Sequence, residues 1–150
     1  MIVILDVDGT LVKDLDSDKL LPVALENCRK LREQGHTLVL ASNQGGVMLG
    51  FRSLESTLLR ITLIAQQIGA VDFQICTWHP YGKVKLQTGH HPELHYSDSD
   101  TWRKPAAGML QYYMQKFPNE QYMYVGDRRD DLLAARDAGI TFVWNVDWKV

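Results

Sequence analysis

The chain is poor in cysteine and has no long apolar run. Cys28 and Cys76 are its only two cysteines in 150 residues, and they form no framework spacing. A small scaffold stapled by disulfides is excluded, and a reducing compartment, the cytoplasm by default, is the expectation. No stretch approaches the roughly 18 consecutive apolar residues that read as a membrane-crossing helix, so no membrane partner is expected. No charged segment precedes the opening apolar residues, so no secretory leader is expected either. Neither sign of charge dominates: 16 basic and 18 acidic side chains leave a net −2. That balance gives no general case for a nucleic-acid-binding surface, although a local basic patch is compatible with it. No internal repeat or domain boundary interrupts the chain, and its length suits one compact domain, residues 1–150, with an adequate core.

What is present is an alternation of short apolar runs with amphipathic stretches. Met1 to Leu5 is too short for a helix and reads as a buried strand. Pro22 suits the first turn of a helix whose apolar face runs through Val23, Leu25, Cys28 and Leu31 to a stop at Gly35. Thr37 to Ala41 reads as a second strand. Leu54, Leu58, Ile61, Ile64 and Ile68 form one stripe of a second helix that Gly69 ends. Val71 to Cys76, Gln121 to Val125 and Ile140 to Trp144 read as three further strands. Helices are expected from Pro105 and from about Asp131 to Ala138. The fold class is therefore α/β: a three-layer, Rossmann-like sandwich around a mostly parallel five-stranded sheet. Residues 78–102 lack periodicity and are long for an unstructured connection, as binding loops and lids often are.

The polar signatures fall where such sheets bind ligands, outside the carboxyl ends of the strands. Asp6 and Asp8 follow the first strand, Ser42 and Asn43 the second, and Asp127 the fourth. Two carboxylates two residues apart are costly side by side unless a cation lies between them or one keeps a proton. A metal ion with a reacting phosphate explains the pair. So does an acid/base pair split into two roles.

These segments, in this order, resemble the phosphatases of the haloacid dehalogenase superfamily over nearly the whole chain. Asp6-Val7-Asp8-Gly9-Thr10-Leu11 matches the first motif, DxDGT. Ala41-Ser42-Asn43 matches the second, Arg103-Lys104-Pro105 the third, and Gly126-Asp127 through Asp131 the fourth, GDxxxD. The resemblance implies that Asp6 attacks phosphorus as a nucleophile and that Asp8 protonates the leaving oxygen and then deprotonates water. It implies that Ser42 and Lys104 hold phosphoryl oxygens. It further implies that Asp6, the Asp8 carbonyl and Asp127 bind Mg²⁺, with Asp131 orienting the metal shell. Asp130 competes with Asp131 for that place.

Ser42-Asn43-Gln44-Gly45-Gly46 and Arg103-Lys104-Pro105 resemble a capless branch of the superfamily. It includes heptose bisphosphate, histidinol-phosphate and polynucleotide 3′-phosphatases. The intervals between motifs leave no room for a large cap domain, so residues 78–102 are expected to select the substrate. Asn43, Gln44 and Arg103 are the expected substrate-binding residues. The expected partner is a phosphorylated sugar or related metabolite, with a 3′-phosphorylated nucleic-acid end as the alternative. Sugar-phosphate members carry zinc in the corresponding loop, on a Cys-x-Cys pair whose places Asp100 and Trp102 occupy here. Cys76, His79, His90, His91 and His95 remain as candidates for a structural Zn²⁺. A phospho-accepting signalling domain or a binding module is the remote alternative. Receiver domains accept on an Asp ending the third strand, where this chain has Ile75-Cys76-Thr77.

Overall fold

The structure, a computed structural model, describes residues 1–86 and 88–150; Gln87, within the 78–102 stretch, lies outside the described residues. In chain order the elements are β1 (Ile2–Leu5), α1 (Pro22–Glu33), β2 (Thr37–Asn43), α2 (Leu54–Ile68), β3 (Asp72–Cys76), β4 (His90–His91), β5 (Tyr96–Ser97), α3 (Gly108–Lys116), β6 (Tyr122–Gly126), α4 (Arg129–Ala138) and β7 (Thr141–Trp144). The strands form one sheet in the order β4-β5-β3-β2-β1-β6-β7. Every neighbouring pair is parallel except β4 with β5.

β1 lies between β2 and β6 and is buried on both faces, which is why its sequence is continuously apolar rather than alternating. Val3 and Leu5 pack with Cys28 and Leu31 of α1 and with Ile61 and Ile64 of α2. Ile2 and Ile4 pack on the other face with Met109 and Leu110 of α3 and with Ala134 and Ala135 of α4. The register pairs Leu5 with Leu40 of β2 and with Val125 of β6. One residue further on, Asp6, Ala41 and Gly126 come level, so three chain segments deliver their polar ends to one rim.

Two expectations need correction. The sheet has seven strands, not five. The additional β4 and β5 come from residues 78–102 and are two residues each, too short to leave a periodic signature. β5 extends the sheet beside β3 through the pairs Ile75–Tyr96 and Cys76–Ser97. The third helix starts at Gly108, not Pro105. The backbone at Lys104 is engaged elsewhere: its N–H donates to Asn43 Oδ1, and its carbonyl accepts from Asn43 Nδ2, both at 3.0 Å. Residues 103–106 are used in a turn, with Ala106 N donating to Arg103 O at 2.8 Å. α4 begins slightly before the expected position, at Arg129, and this puts Asp130 and Asp131 in its first turn.

Candidate active site

Four charged side chains meet at the rim. Lys104 Nζ lies 2.8 Å from Asp6 Oδ1 and 2.7 Å from Asp131 Oδ1, and all three side chains are less than a tenth exposed. The same ammonium donates to the Ala41 carbonyl at 3.1 Å and to the Tyr124 hydroxyl at 2.6 Å. The Tyr124 hydroxyl in turn donates to Asp131 Oδ1 at 2.7 Å. The other Asp131 oxygen accepts from the backbone N–H groups of Asp127 and Arg128 at 3.2 and 3.1 Å. Thr10 Oγ1 donates to Asp6 Oδ2 at 3.2 Å.

The third carboxylate comes from Asp127, and two glycines make room, Gly9 for Asp127 and Gly126 for Asp131. Gly9 has φ +86, and a Cβ on it would fall 1.9 Å from Asp127 Oδ2. A Cβ on Gly126 would fall 2.6 Å from the Asp131 carboxylate. At both positions the backbone approaches too closely for any side chain. Asp6, Asp127 and Asp131 each present an oxygen within 4.8 Å of the others. Asp127 Oδ1 is buried with no hydrogen-bond partner among the described residues. An unmatched buried acceptor among three carboxylates is a donor set for a hard divalent cation, and the residues present fit Mg²⁺.

The electrostatics point the same way. Burial pushes the Asp6 carboxyl up to about 8, because Lys104 opposes the shift only partly and the Asp131 charge adds to it. Burial also disfavours the charged forms of Lys104 and Asp131. For Lys104 the two carboxylates outweigh it, so the ammonium is held above its ordinary value. Lys104, Tyr124 and the Arg128 N–H hold Asp131 below the usual carboxylate range. One ammonium facing three carboxylates cannot balance them all, and Asp6 is the one that keeps its proton in the absence of a further cation.

Asp8 stands outside this cluster. Its Oδ2 accepts from Gln44 Nε2 at 2.7 Å and its Oδ1 lies 2.6 Å from Arg60 Nη2. Any metal contact from Asp8 therefore falls to its carbonyl. Gln44 Nε2 also donates to Ser42 Oγ at 2.9 Å. Ser42 is buried beneath the cleft, while Asn43 uses its amide to hold Lys104. A cleft of about 260 Å³ opens over the rim, lined by Asp6, Asp8, Ser42, Arg103 and Lys104, with Asp130 also on its wall. Arg103 Nη1 donates to the Trp78 carbonyl at 3.2 Å. Sequence reasoning missed Tyr124 and Arg60. Tyr124 shares a face of β6 with Tyr122 and Gly126, two residues to either side, and that period was a usable signal. Arg60 lies off the apolar stripe of α2 and left none.

The zinc expectation is not supported. Among the described residues the only group of three or more ligand-type side chains close enough for a metal is Asp6, Asp127 and Asp131. His90 Nδ1 lies 2.6 Å from Ser97 Oγ, and its ring stacks on Trp102. His91 Nε2 reaches the Thr88 carbonyl at 2.9 Å. His95 stacks on Phe73 and bonds the Phe73 carbonyl at 2.8 Å. His79 Nδ1 accepts from Tyr81 N at 3.1 Å. Burial pushes the Cys76 thiol up to about 12, the opposite of what a thiolate ligand needs. Each candidate is spent on a local contact.

A family model described as polynucleotide kinase 3 phosphatase matches residues 1–139. The chain is 30% identical to D-glycero-beta-D-manno-heptose-1,7-bisphosphate 7-phosphatase of Haemophilus influenzae, over 92% of this chain and 77% of that one. It is 29% identical to the enzyme of the same name from Yersinia pestis, over 92% and 76%. In fold it is similar to D,D-heptose 1,7-bisphosphate phosphatase from B. bronchiseptica, a structure complexed with magnesium and phosphate. That match has a TM-score of 0.74 and 24% identity, and it covers 94% of this chain and 78% of that one. With the strand-end carboxylates, the buried lysine and these relatives together, the chain belongs to the polynucleotide kinase 3 phosphatase family, a group of haloacid dehalogenase-type phosphatases.

Proposed function

We propose that this phosphatase is a Mg²⁺-dependent phosphomonoesterase acting through a phospho-aspartate, with a sugar phosphate of the heptose bisphosphate class as its substrate. The observation that carries the mechanism is the meeting of Asp6, Asp127 and Asp131 beside the Lys104 ammonium. The names of the curated relatives support the substrate class. The bound magnesium and phosphate of the B. bronchiseptica protein support the metal.

An Asp6 oxygen attacks phosphorus, and the bond to the leaving alcohol oxygen breaks. Asp8 gives that oxygen its proton. Water then attacks the phosphorus of the acyl phosphate, Asp8 takes the water's proton, and the bond to Asp6 breaks to release phosphate. Lys104 and Ser42 hold phosphoryl oxygens while charge accumulates on them. Asp6, Asp127 and the Asp8 carbonyl, with Asp131 behind them, would hold Mg²⁺, which would supply positive charge beside the Asp6 carboxylate and the phosphoryl oxygens. Arg103 lines the cleft beside Lys104 and suits a second anionic group of the substrate, with Gln44 supporting Asp8 and Asn43 supporting Lys104. Residues 78–102 carry the choice of substrate, within a single catalytic domain. Two buried free cysteines support a reducing compartment, the cytoplasm, and no described helix is long and apolar enough to cross a membrane.

Phosphate release from heptose 1,7-bisphosphate with Mg²⁺, run beside a 3′-phosphorylated oligonucleotide, tests the reading. Turnover of the sugar that disappears in Asp6→Asn is expected. Preference for the oligonucleotide moves the substrate to the 3′-phosphatase class that the family description names. Undiminished activity in Asp6→Asn removes the phospho-aspartate mechanism.

A further inference from the structure

The acid–base carboxylate is held from a direction that the four motifs do not include. Arg60, on α2, places Nη2 2.6 Å from Asp8 Oδ1. The same nitrogen donates to the Ser17 carbonyl at 2.6 Å and to the Asp14 carbonyl at 3.1 Å, and Nε donates to Ser17 at 3.2 Å. Side chains of Arg60 and Asp8 are only 17% and 11% exposed. A planar guanidinium with several fixed donors can serve a carboxylate and two carbonyls at once, which a lysine ammonium on a flexible stem cannot do as rigidly.

The contact has a chemical consequence for Asp8. Each carboxylate oxygen offers two acceptor sites. Arg60 engages Oδ1 and Gln44 engages one site of Oδ2. In a protonated carboxyl the carbonyl oxygen is the better acceptor, so Oδ1 keeps the charge-assisted guanidinium bond and Oδ2, which faces only the neutral Gln44 amide, is the oxygen that carries the proton. The loop that Arg60 holds, residues 13–19, supplies Leu15 to the cleft wall. Arg52 adds a second tie to that loop through Asp16, at 3.2 Å.

We propose that Arg60 is the positioning residue of the acid–base step: its Nη2 contact fixes Asp8 so that Oδ2 carries the transferred proton, while its carbonyl contacts hold the 13–19 loop that supplies Leu15 to the cleft wall. The inference rests on the phospho-aspartate reading above. It differs from a stapling role for the loop, because a residue that serves proton transfer matters in proportion to how much the leaving group needs a proton. An alkoxide leaving from a sugar needs one. p-Nitrophenolate does not.

The experiment compares kcat/KM, which reports the steps up to the phospho-aspartate, for heptose 1,7-bisphosphate and p-nitrophenyl phosphate. Arg60→Gln is expected to lower the value about 10- to 100-fold on the sugar and less than about threefold on the aryl ester, a part of what a general acid contributes. Arg60→Lys keeps a cation without the full fork, and is expected to lie between wild type and Arg60→Gln on the sugar alone. Asp8→Asn should show the same selectivity for the poor leaving group, more strongly. Equal losses of Arg60→Gln on both substrates, with a lowered melting temperature, make Arg60 a loop staple and overturn the proposal. No loss on either also overturns it. A wild-type protein that turns over neither substrate overturns the phosphatase reading itself, and the role of Arg60 with it.

Discussion

At the rim where β1, β2 and β6 end, Asp6, Lys104, Asp127 and Asp131 share one buried cluster. In residues 78–102 the four histidines each bond a neighbour of their own. Asp6, Lys104 and Asp131 are buried and Asp127 half-buried, so each leans on another within a few ångströms, and removing one leaves the rest unbalanced. The histidine contacts are separate, near the surface and partly wet. Losing one therefore leaves the others in place. The same chain thus carries a cooperative region and an additive one, side by side.

The most severe way to break this contrast is to intrude on the rim without touching a charge. Gly9→Ala would drive its Cβ into Asp127 and strain the backbone at φ +86. A displaced metal ligand is expected to weaken Mg²⁺ activation about 10- to 100-fold, by analogy with the loss of a group that orients a ligand. A Mg²⁺ titration of activity reads this directly, and an unchanged activation constant would break the comparison.

Next comes the unbalanced charge. In the metal-free protein the Asp6 carboxyl is raised to about 8 from an ordinary 3.8. The folded state therefore binds more protons than the unfolded state between those values. Stability should fall as pH rises from 4 to 8. Mg²⁺ should raise the melting temperature, and increasingly so towards pH 8. A Mg²⁺ effect independent of pH would argue against a charge deficit at Asp6.

A milder probe is Tyr124→Phe, which removes the hydroxyl joining Lys104 to Asp131. The loss should be about 1–3 kcal/mol of stability, the cost of leaving buried polar groups short of a partner, measured by urea unfolding. A thermally neutral Tyr124→Phe would mean that the pair repacks without its bridge.

The smallest change is expected at the edge. His90→Ala loses the Trp102 stack and the Ser97 contact. The expected cost is about 0.5–1.5 kcal/mol, with Mg²⁺ activation unchanged. Metal analysis of the purified protein should find no stoichiometric zinc; one bound zinc per chain would turn the edge into a cooperative site after all.

Much of the fold was legible because periodicity is a property of whole segments. β1 read as buried from its unbroken apolar run, and α2 from a stripe that ends at Gly69, which adopts φ +72 as a left-handed cap. β4 and β5 were not legible, since two residues cannot display a period, and pairing with β3 rather than sequence makes them strands. At the site, Asp6 and Asp127 were visible because they follow strand ends, and Asp131 through the resemblance of Gly126-Asp127 through Asp131 to the GDxxxD motif. The duties of Asn43 and Gln44 were not. An amide next to a catalytic segment can face a ligand or the backbone, and only the fold decides that Asn43 bonds both backbone groups of Lys104. Arg60 was hidden because its partners lie far away in sequence, in loops that α2 meets only after folding.

The paired bonds between Asn43 and Lys104 have an evolutionary consequence. β2 holds both ends of the 78–102 excursion: Gln44 N donates to the Cys76 carbonyl at 2.7 Å where it departs, and Asn43 clasps Lys104 where it returns. The intervening residues can be lengthened, shortened or exchanged while the lysine keeps its address beside Asp6. Loop-entropy costs grow only slowly with length, so such exchanges are cheap for the fold. On the proposed reading that residues 78–102 choose the substrate, a chain of this design can change its diet without relearning its chemistry, and grafting a relative's loop between Thr77 and Arg103 is the route to a new specificity.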